Sequence, residues 1–377
     1  MTRRERLIAT FQGKQVDRPA VSFYEIGGWE MAKDEDEFNV WNDPSWRPLV
    51  RMALAETDIL RSVNPTWKDL SGDPMKELIN IQTEQKGNSF YVTTTLAAPG
   101  RTLKSVCRRD KDTQTSWVIE HLLKNREDAE AWLRLPDPQI GIPDVSGILA
   151  EEEKLGDSGI VNLEAADPLC EVASLFPMDE YTVLALTDSL FFHQMLEKAA
   201  GPIFSKVEQV AKLLPGRLWR ICGSEYASEP YLPPRLYKEY VVKYTGRLVE
   251  IIQKYGGYAR IHSHGRLKGI ISMIADMNPD ALDPLEPPPQ GDITLREIRE
   301  EIGEDIVLMG NIEAADIENL DPKDFEKKVL TALDEGPGEG SRGFILLPSA
   351  CPYGRTITPR TMANYETMIR CVKNYAG

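Results

Sequence analysis

GGYARIHSHGRLKGIISMIADMNPDALDPLEPP, residues 256–288, is the stretch whose reading decides the fold. Residues 258–261 form a short apolar run that ends in His262-Ser263-His264, and residues 281–285 form a second run that ends at Glu286. Helical period separates the two runs, so the stretch reads as strand, helix, strand, the repeating unit of a parallel sheet. Working outward, comparable runs occur at 21–26, 59–63, 160–163, 218–222, 306–309 and 344–347. Amphipathic segments such as 234–255 and 295–302 stand between them. About eight strands alternating with helices predict an α/β chain folded as a (β/α)8 TIM barrel.

The 377 residues exceed the ~250 of an average barrel, and one barrel domain over 1–377 with an insertion accounts for the excess. Between 88 and 123 the alternation stops: YVTTTL, LKSVCRR and SWVIEHLL read as antiparallel strands, a small β meander near the second barrel strand. A net charge of -15 would repel a phosphate backbone, which argues against a nucleic-acid partner. The basic opening has no apolar segment behind it and no apolar run reaches ~18 residues, so neither export nor a membrane is expected and the location is predicted to be cytoplasmic. Five scattered cysteines without a CxxC pair are read as thiols rather than a disulfide framework.

Each run is followed by a polar residue. They are Glu25, Asn64, Glu164, Glu225, His262 with His264, Glu286, Asn311 and Cys351, in chain order. In a barrel of this kind the carboxyl ends of the strands share one face, where active sites are assembled from several strands. Any strand must leave into polar loop residues, so a single Glu or Asn there says little by itself. The His-x-His pair says more, because side chains at i and i+2 of a strand end point to the same side. Two imidazoles together are a common beginning of a Zn²⁺ site. Cys351, stiffened between Pro348 and Pro352, is the candidate third ligand, against the plainer reading of a packed thiol. Three protein ligands leave a position open, the mark of a catalytic zinc, with Glu225 or Glu164 available to fill it at rest. His121 and His193 lack such company and are read as structural.

The opening MTRRERLIATFQGKQVDRPAV resembles that of the uroporphyrinogen decarboxylase-like superfamily, in which a helix leads through an Asp-Arg-Pro turn into the first strand. Residues 256–288, EEIGEDIVLMGNIEA (300–314) and GFILLPSACPYG (343–354) resemble its corrinoid-dependent methyltransferase branch. The zinc motif of that branch is His-x-Cys with a distant Cys. The matching positions here are His262, His264 and Cys351, so an imidazole replaces the middle thiolate, and Glu225 is the alternative ligand should His264 contact substrate instead. A neutral ligand in place of a thiolate makes the ion a stronger Lewis acid, suited to an ether or alkoxide oxygen. The arginine-rich segment that decarboxylases of the superfamily carry after the first strand is missing, and FYEIGGWEMAKDED stands there instead.

The resemblance therefore implies a methyltransferase that moves a methyl group between a small methylated substrate, such as a methoxylated aromatic or another methyl ether, and a corrinoid (cobalamin). The chain has no D-x-H-x-x-G corrinoid motif, so the corrinoid belongs to a partner protein. In this reading Glu164 and Glu225 supply proton balance, and Tyr24, Trp29, Tyr226, Tyr231, Asn311 and Tyr353 contact substrate. A metal-free carboxy-lyase with a basic mouth and a non-catalytic barrel that binds ligand or corrinoid protein are the competing readings. Homodimerisation is a further expectation from the superfamily.

Overall fold

The structure, a computed structural model, describes residues 1–28, 36–70, 72–338 and 343–375. Its centre is one curled sheet of eight parallel strands: β1 (Ala20–Val21), β2 (Ile59–Ser62), β3 (Gly159–Ala166), β4 (Leu218–Cys222), β5 (Tyr258–Ser263), β6 (Ala281–Pro284), β7 (Val307–Ile312) and β8 (Phe344–Pro348). The spatial order is β1-β8-β7-β6-β5-β4-β3-β2, and every ladder is parallel. Parallel strands need crossovers, and helices such as Ser189–Leu213, Lys243–Lys254, Leu295–Ile302 and Pro322–Glu335 supply them. They cover the outer face, so strands such as β8 are buried throughout, which is why these runs read as continuously apolar.

Strand β1 is shorter than the apolar run 21–26 suggests. The chain leaves the sheet after Val21 and turns through the 3-10 segment Tyr24–Gly28. Tyr24 opens that turn with φ at 54°, a left-handed conformation that costs a non-glycine residue about 1–3 kcal/mol unless its surroundings enforce it. Its hydroxyl accepts a hydrogen bond from Arg220 on β4, which fixes the ring over the inner face of the sheet.

No ladder joins β1 to β2 among the described residues. At that seam Asp58 takes over, completely buried just ahead of β2. Its backbone N–H donates to Val21 O at 2.7 Å, and its carboxylate accepts from Val21 N at 2.9 Å, Arg18 at 3.0 Å and Arg6 at 2.5 Å. Arg6 lies in the helix Arg3–Phe11, whose start is fixed by a capping box between Thr2 and Glu5. The Asp-Arg-Pro turn of the sequence is thus the place where the first helix, β1 and β2 are tied through one carboxylate.

A separate four-stranded antiparallel sheet spans Ile79–Lys86, Ser89–Ala98, Arg101–Asp110 and Ser116–Glu120 in that order. It begins ahead of the residues 88–123 expected for the insertion, because INIQTEQK lies exposed along its whole length and carries little apolar alternation to announce a strand. No helix among the described residues is long and apolar enough to cross a membrane.

Removing the Asp58 carboxylate leaves Arg18 without a carboxylate partner and the buried Arg6 with Asp17 alone. Asp58→Ala is expected to lower unfolding stability by about 3–5 kcal/mol, read from urea denaturation. A loss under 1 kcal/mol would show that the seam does not depend on it.

Candidate functional site

Alternation along β4 and β5 sends Arg220 and Arg260 inward. They are direct neighbours in the parallel register, as are Cys222 and His262 two residues further on. Arg260 donates to both oxygens of Asp283 on β6, at 2.5 Å each, and neither side chain has appreciable exposure. Asp283 also accepts from Nδ1 of His262 at 2.7 Å. Burial, opposed mainly by Arg260 and His262, would raise the Asp283 pKa, but the two partners win and hold it far below the usual carboxylate range. His262 is only 3% exposed, and burial with help from Arg220 brings its pKa down to about 4 despite Asp283. It is therefore a neutral imidazole whose Nδ1–H is spent on Asp283 and whose Nε2 lone pair remains.

His264, on the next outward step, stands with its ring perpendicular to that of His262, centroids 4.6 Å apart. Its Nδ1 meets Glu286 Oε1 at 2.8 Å, while the other oxygen of Glu286 accepts from Gly265 N at 2.7 Å. Burial works against its charged form, yet the Glu286 bond and the carboxylates of Glu286 and Glu225 raise its pKa. Glu225, in the 3-10 turn after β4, is itself raised by burial, against the pull of its hydrogen bonds and of His264. Its carboxylate accepts from Gly223 N at 3.1 Å. His262, His264 and Glu225 thus share one corner.

A second group lies beside it. Arg220 donates to Glu164 Oε1 at 3.2 Å and to the Tyr24 hydroxyl, and the Tyr24 and His262 rings are 6.4 Å apart. Glu164 N donates in turn to Asn64 Oδ1 at 3.0 Å. Between these side chains lies only a small void of about 10 Å³, lined by Tyr24, Glu25, Ser62, Asn162, Arg220 and Arg260. Cys351 reaches the same side of the sheet from the β8 loop, with Sγ 3.8 Å from Glu25 Oε2. Burial, reinforced by Glu25, pushes its thiol well above the usual range. Among the described residues no three His, Cys, Asp or Glu side chains already stand as a ready metal cluster.

The other expected contacts are dispersed. Tyr226 lies edge-on to Tyr181 at 6.1 Å, and Tyr231 is largely exposed. Asn311 lines a crevice of about 270 Å³ against the helix Pro322–Glu335. Tyr353 is half exposed and bonded through its backbone to Glu318 and Gln114. Trp29 lies outside the described residues. His121 and His193 bond to Ser174 O and to the Tyr244 hydroxyl, away from this corner.

Arg220, Arg260 and Asp283 were not among the residues singled out from the sequence. The signal was there: a period-two interruption of the apolar runs LWRIC and YARIH by arginine, and of ALDP by aspartate. A charge inside a buried parallel strand needs a partner, which Arg260 finds in Asp283 and Arg220 in Glu164.

The model of the uroporphyrinogen decarboxylase (URO-D) family matches residues 220–375, the portion from β4 onward that carries Arg220, both histidines, Asp283 and Cys351. No curated protein matches the chain in sequence. A solved methyltransferase from Methanosarcina mazei superposes over 100% of both chains with a TM-score of 0.62 at 15% identity, which establishes the likeness of fold. An IOLI protein solved with a bound zinc atom aligns with 62% of this chain and 95% of its own at 11% identity, but a TM-score of 0.27 gives that likeness no weight. The family match thus covers the portion from β4 onward, and the likeness over the whole chain is one of fold.

The charge pairing has a testable consequence. Asp283→Ala strands Arg260 and is expected to cost about 3–5 kcal/mol in urea unfolding, whereas the double change Arg260→Met with Asp283→Leu removes both charges and should recover a large part of that loss. A double variant no more stable than Asp283→Ala would contradict the pairing.

Proposed function

We propose that this chain is a zinc-dependent methyltransferase acting between a small methyl ether, such as a methoxylated aromatic, and a corrinoid carried by a partner protein. The observation that carries the reading is the pair of imidazoles at the end of β5, each with Nδ1 tied to its own carboxylate, Asp283 and Glu286. Histidines that bind metals are held in this way, because the outer carboxylate fixes the tautomer and ring and leaves Nε2 to the ion. His262, His264 and Cys351 would hold Zn²⁺, with Glu225 close enough to His264 to serve as a fourth donor or to take the place of that histidine. When bound, the ion would supply Lewis acidity toward the oxygen that carries the methyl group.

The remaining work falls to side chains of this chain. The oxygen that loses its methyl group gains a proton, and Glu225, whose pKa is raised by burial, is suited to deliver it. Glu164, anchored by Arg220, is the alternative carrier. The reading takes the curled sheet as a (β/α)8 barrel closed at the Asp58 seam, with the corrinoid protein docking over the end where His264 and Tyr353 are exposed. Tyr24 and Tyr226 would border the substrate.

The metal-free decarboxylase reading has one observation in its favour, the inward arginines. Arg260 is matched by Asp283 and Arg220 by Glu164, so they do not make the strongly basic mouth which that reading requires.

Zinc titration of metal-stripped protein is the direct test. The wild type should take up one equivalent, and His262→Ala, His264→Ala and Cys351→Ala should each lose it, or weaken it severely. Glu286→Ala, which removes only the outer partner, should weaken zinc by about 10–100-fold. Methyl transfer from a methoxylated aromatic to a reduced corrinoid protein should fall in parallel. Undiminished zinc in all three ligand variants would end the proposal.

A further inference from the structure

We propose that Cys170 and Cys222 form a redox-modified dithiol, which a small-molecule disulfide closes into a cross-link tying the helix Pro168–Ala173 to the end of β4. Both are free thiols and both are half-buried, so neither is sealed in the core as Cys351 and Cys371 are. Asp167, the N-cap of that helix, brings them together. Its backbone N–H donates to the carbonyl of Cys222 at 2.9 Å, and its carboxylate accepts from Cys170 N at 2.7 Å. Asp167 is itself fully buried, and its second oxygen accepts from the Thr245 hydroxyl at 2.9 Å, so the clamp is fixed on both sides. Gly223 shows how close the approach is. Its φ is 124°, and a Cβ placed there would stand 2.2 Å from the Cβ of Cys170, which no side chain tolerates. The two thiols are in hydrogen-bond contact, and this contact together with burial holds the proton on Cys170 well above the usual thiol range. Cysteines whose side chains already meet need no backbone movement to be bridged.

The exchange balances with the small disulfide as the only oxidant. One cysteine attacks a sulfur of the reagent, whose S–S bond breaks, and the released small thiol carries off the proton. The neighbouring cysteine then attacks the mixed disulfide, forms the bond between Cys170 and Cys222 and releases the second small thiol with the second proton. The pair loses two electrons and the reagent gains them. The consequence falls on Glu225. Cys222 is the last residue of β4 and the register neighbour of His262, and Gly223 directly after it donates its N–H to the Glu225 carboxylate at 3.1 Å. A link at Cys222 therefore pins the turn Ser224–Ala227 against the helix. In the methyl-transfer reading, on which this consequence rests, Glu225 needs freedom to deliver its proton, and the link withdraws that freedom when the surroundings turn oxidising.

The test incubates the full chain with hydroxyethyl disulfide, quenches with acid, then unfolds, alkylates and maps the peptides by mass spectrometry. Free thiols are expected to fall from the five of the sequence to three, with the Cys170 and Cys222 peptides joined, and dithiothreitol should restore all five. Cys170→Ser and Cys222→Ser should each abolish the link, while Cys107→Ser keeps it. Mapping of the wild type decides the matter even if a variant fails to fold. Five free thiols after oxidation, or a link between other cysteines, overturns the proposal. In methyl transfer the linked form should be slower by about tenfold or more and recover on reduction. Equal rates in the linked and reduced forms would overturn the switch. Mapping needs neither zinc nor a corrinoid protein, so a reduced chain that transfers no methyl group counts against the methyl-transfer reading and leaves the dithiol to be judged by its peptides.

Discussion

One buried carboxylate organises the inner face of the sheet. Asp283 holds Arg260 with both oxygens and His262 with one of them, so three strand residues share a single negative charge. The desolvation of such a group is large, and only well-aligned partners repay it. The geometry is correspondingly restrictive, because β5 and β6 must sit in the register that places His262 opposite Asp283. A shift of one residue would turn the histidine to the outer, helix-covered face and leave the carboxylate without a proton donor.

The same arrangement decides what the histidine can do. An imidazole with Nδ1–H committed inward has a fixed tautomer, and at a pKa of about 4 it does not compete for protons at neutral pH. His264 repeats the device one step further out with Glu286, under less burial, since 38% of its side chain is exposed. The pair therefore grades from a rigid, neutral, enclosed nitrogen to a more accessible one, the order in which a bound ion would meet protein and then substrate. Arg220 extends the network sideways to Glu164 and Tyr24, and Tyr24 accepts its left-handed backbone as the condition of that contact.

Much of this was legible in the sequence, for reasons that differ by residue. Strands β3 to β8 announce themselves because burial on both faces leaves only apolar residues to choose from. The pair His262 and His264 is visible because imidazoles are scarce here and the spacing fits a strand end. β1 was overread, since Ser22 to Ile26 are as apolar as a strand but are bent by Tyr24. Ile79–Lys86 was passed over for the opposite reason, being a strand with neither face buried. The inward charges were missed because a lone arginine in an apolar run has no meaning until its partner is known. Arg220 finds Glu164 across 56 positions and Tyr24 across 196, and no local pattern encodes such distances.

The inserted sheet is not a remote ornament of this site. Its loop at 111–114 is joined to the β8 loop through Thr113 and Gly354, through Gln114 N to Tyr353 O, and through Arg355 to Lys111 O. Arg355 also binds Glu37 O and receives the Trp46 indole N–H on its carbonyl. The loop bearing Cys351 is thus held from outside by elements that a bare alternation of strand and helix would not provide. Pro348 and Pro352 stiffen the chain on either side of the thiol, and the insertion fixes where that stiff segment lies. Under the proposed zinc reading such a bracket would set where the sulfur lies, because its own strand ends three residues before it.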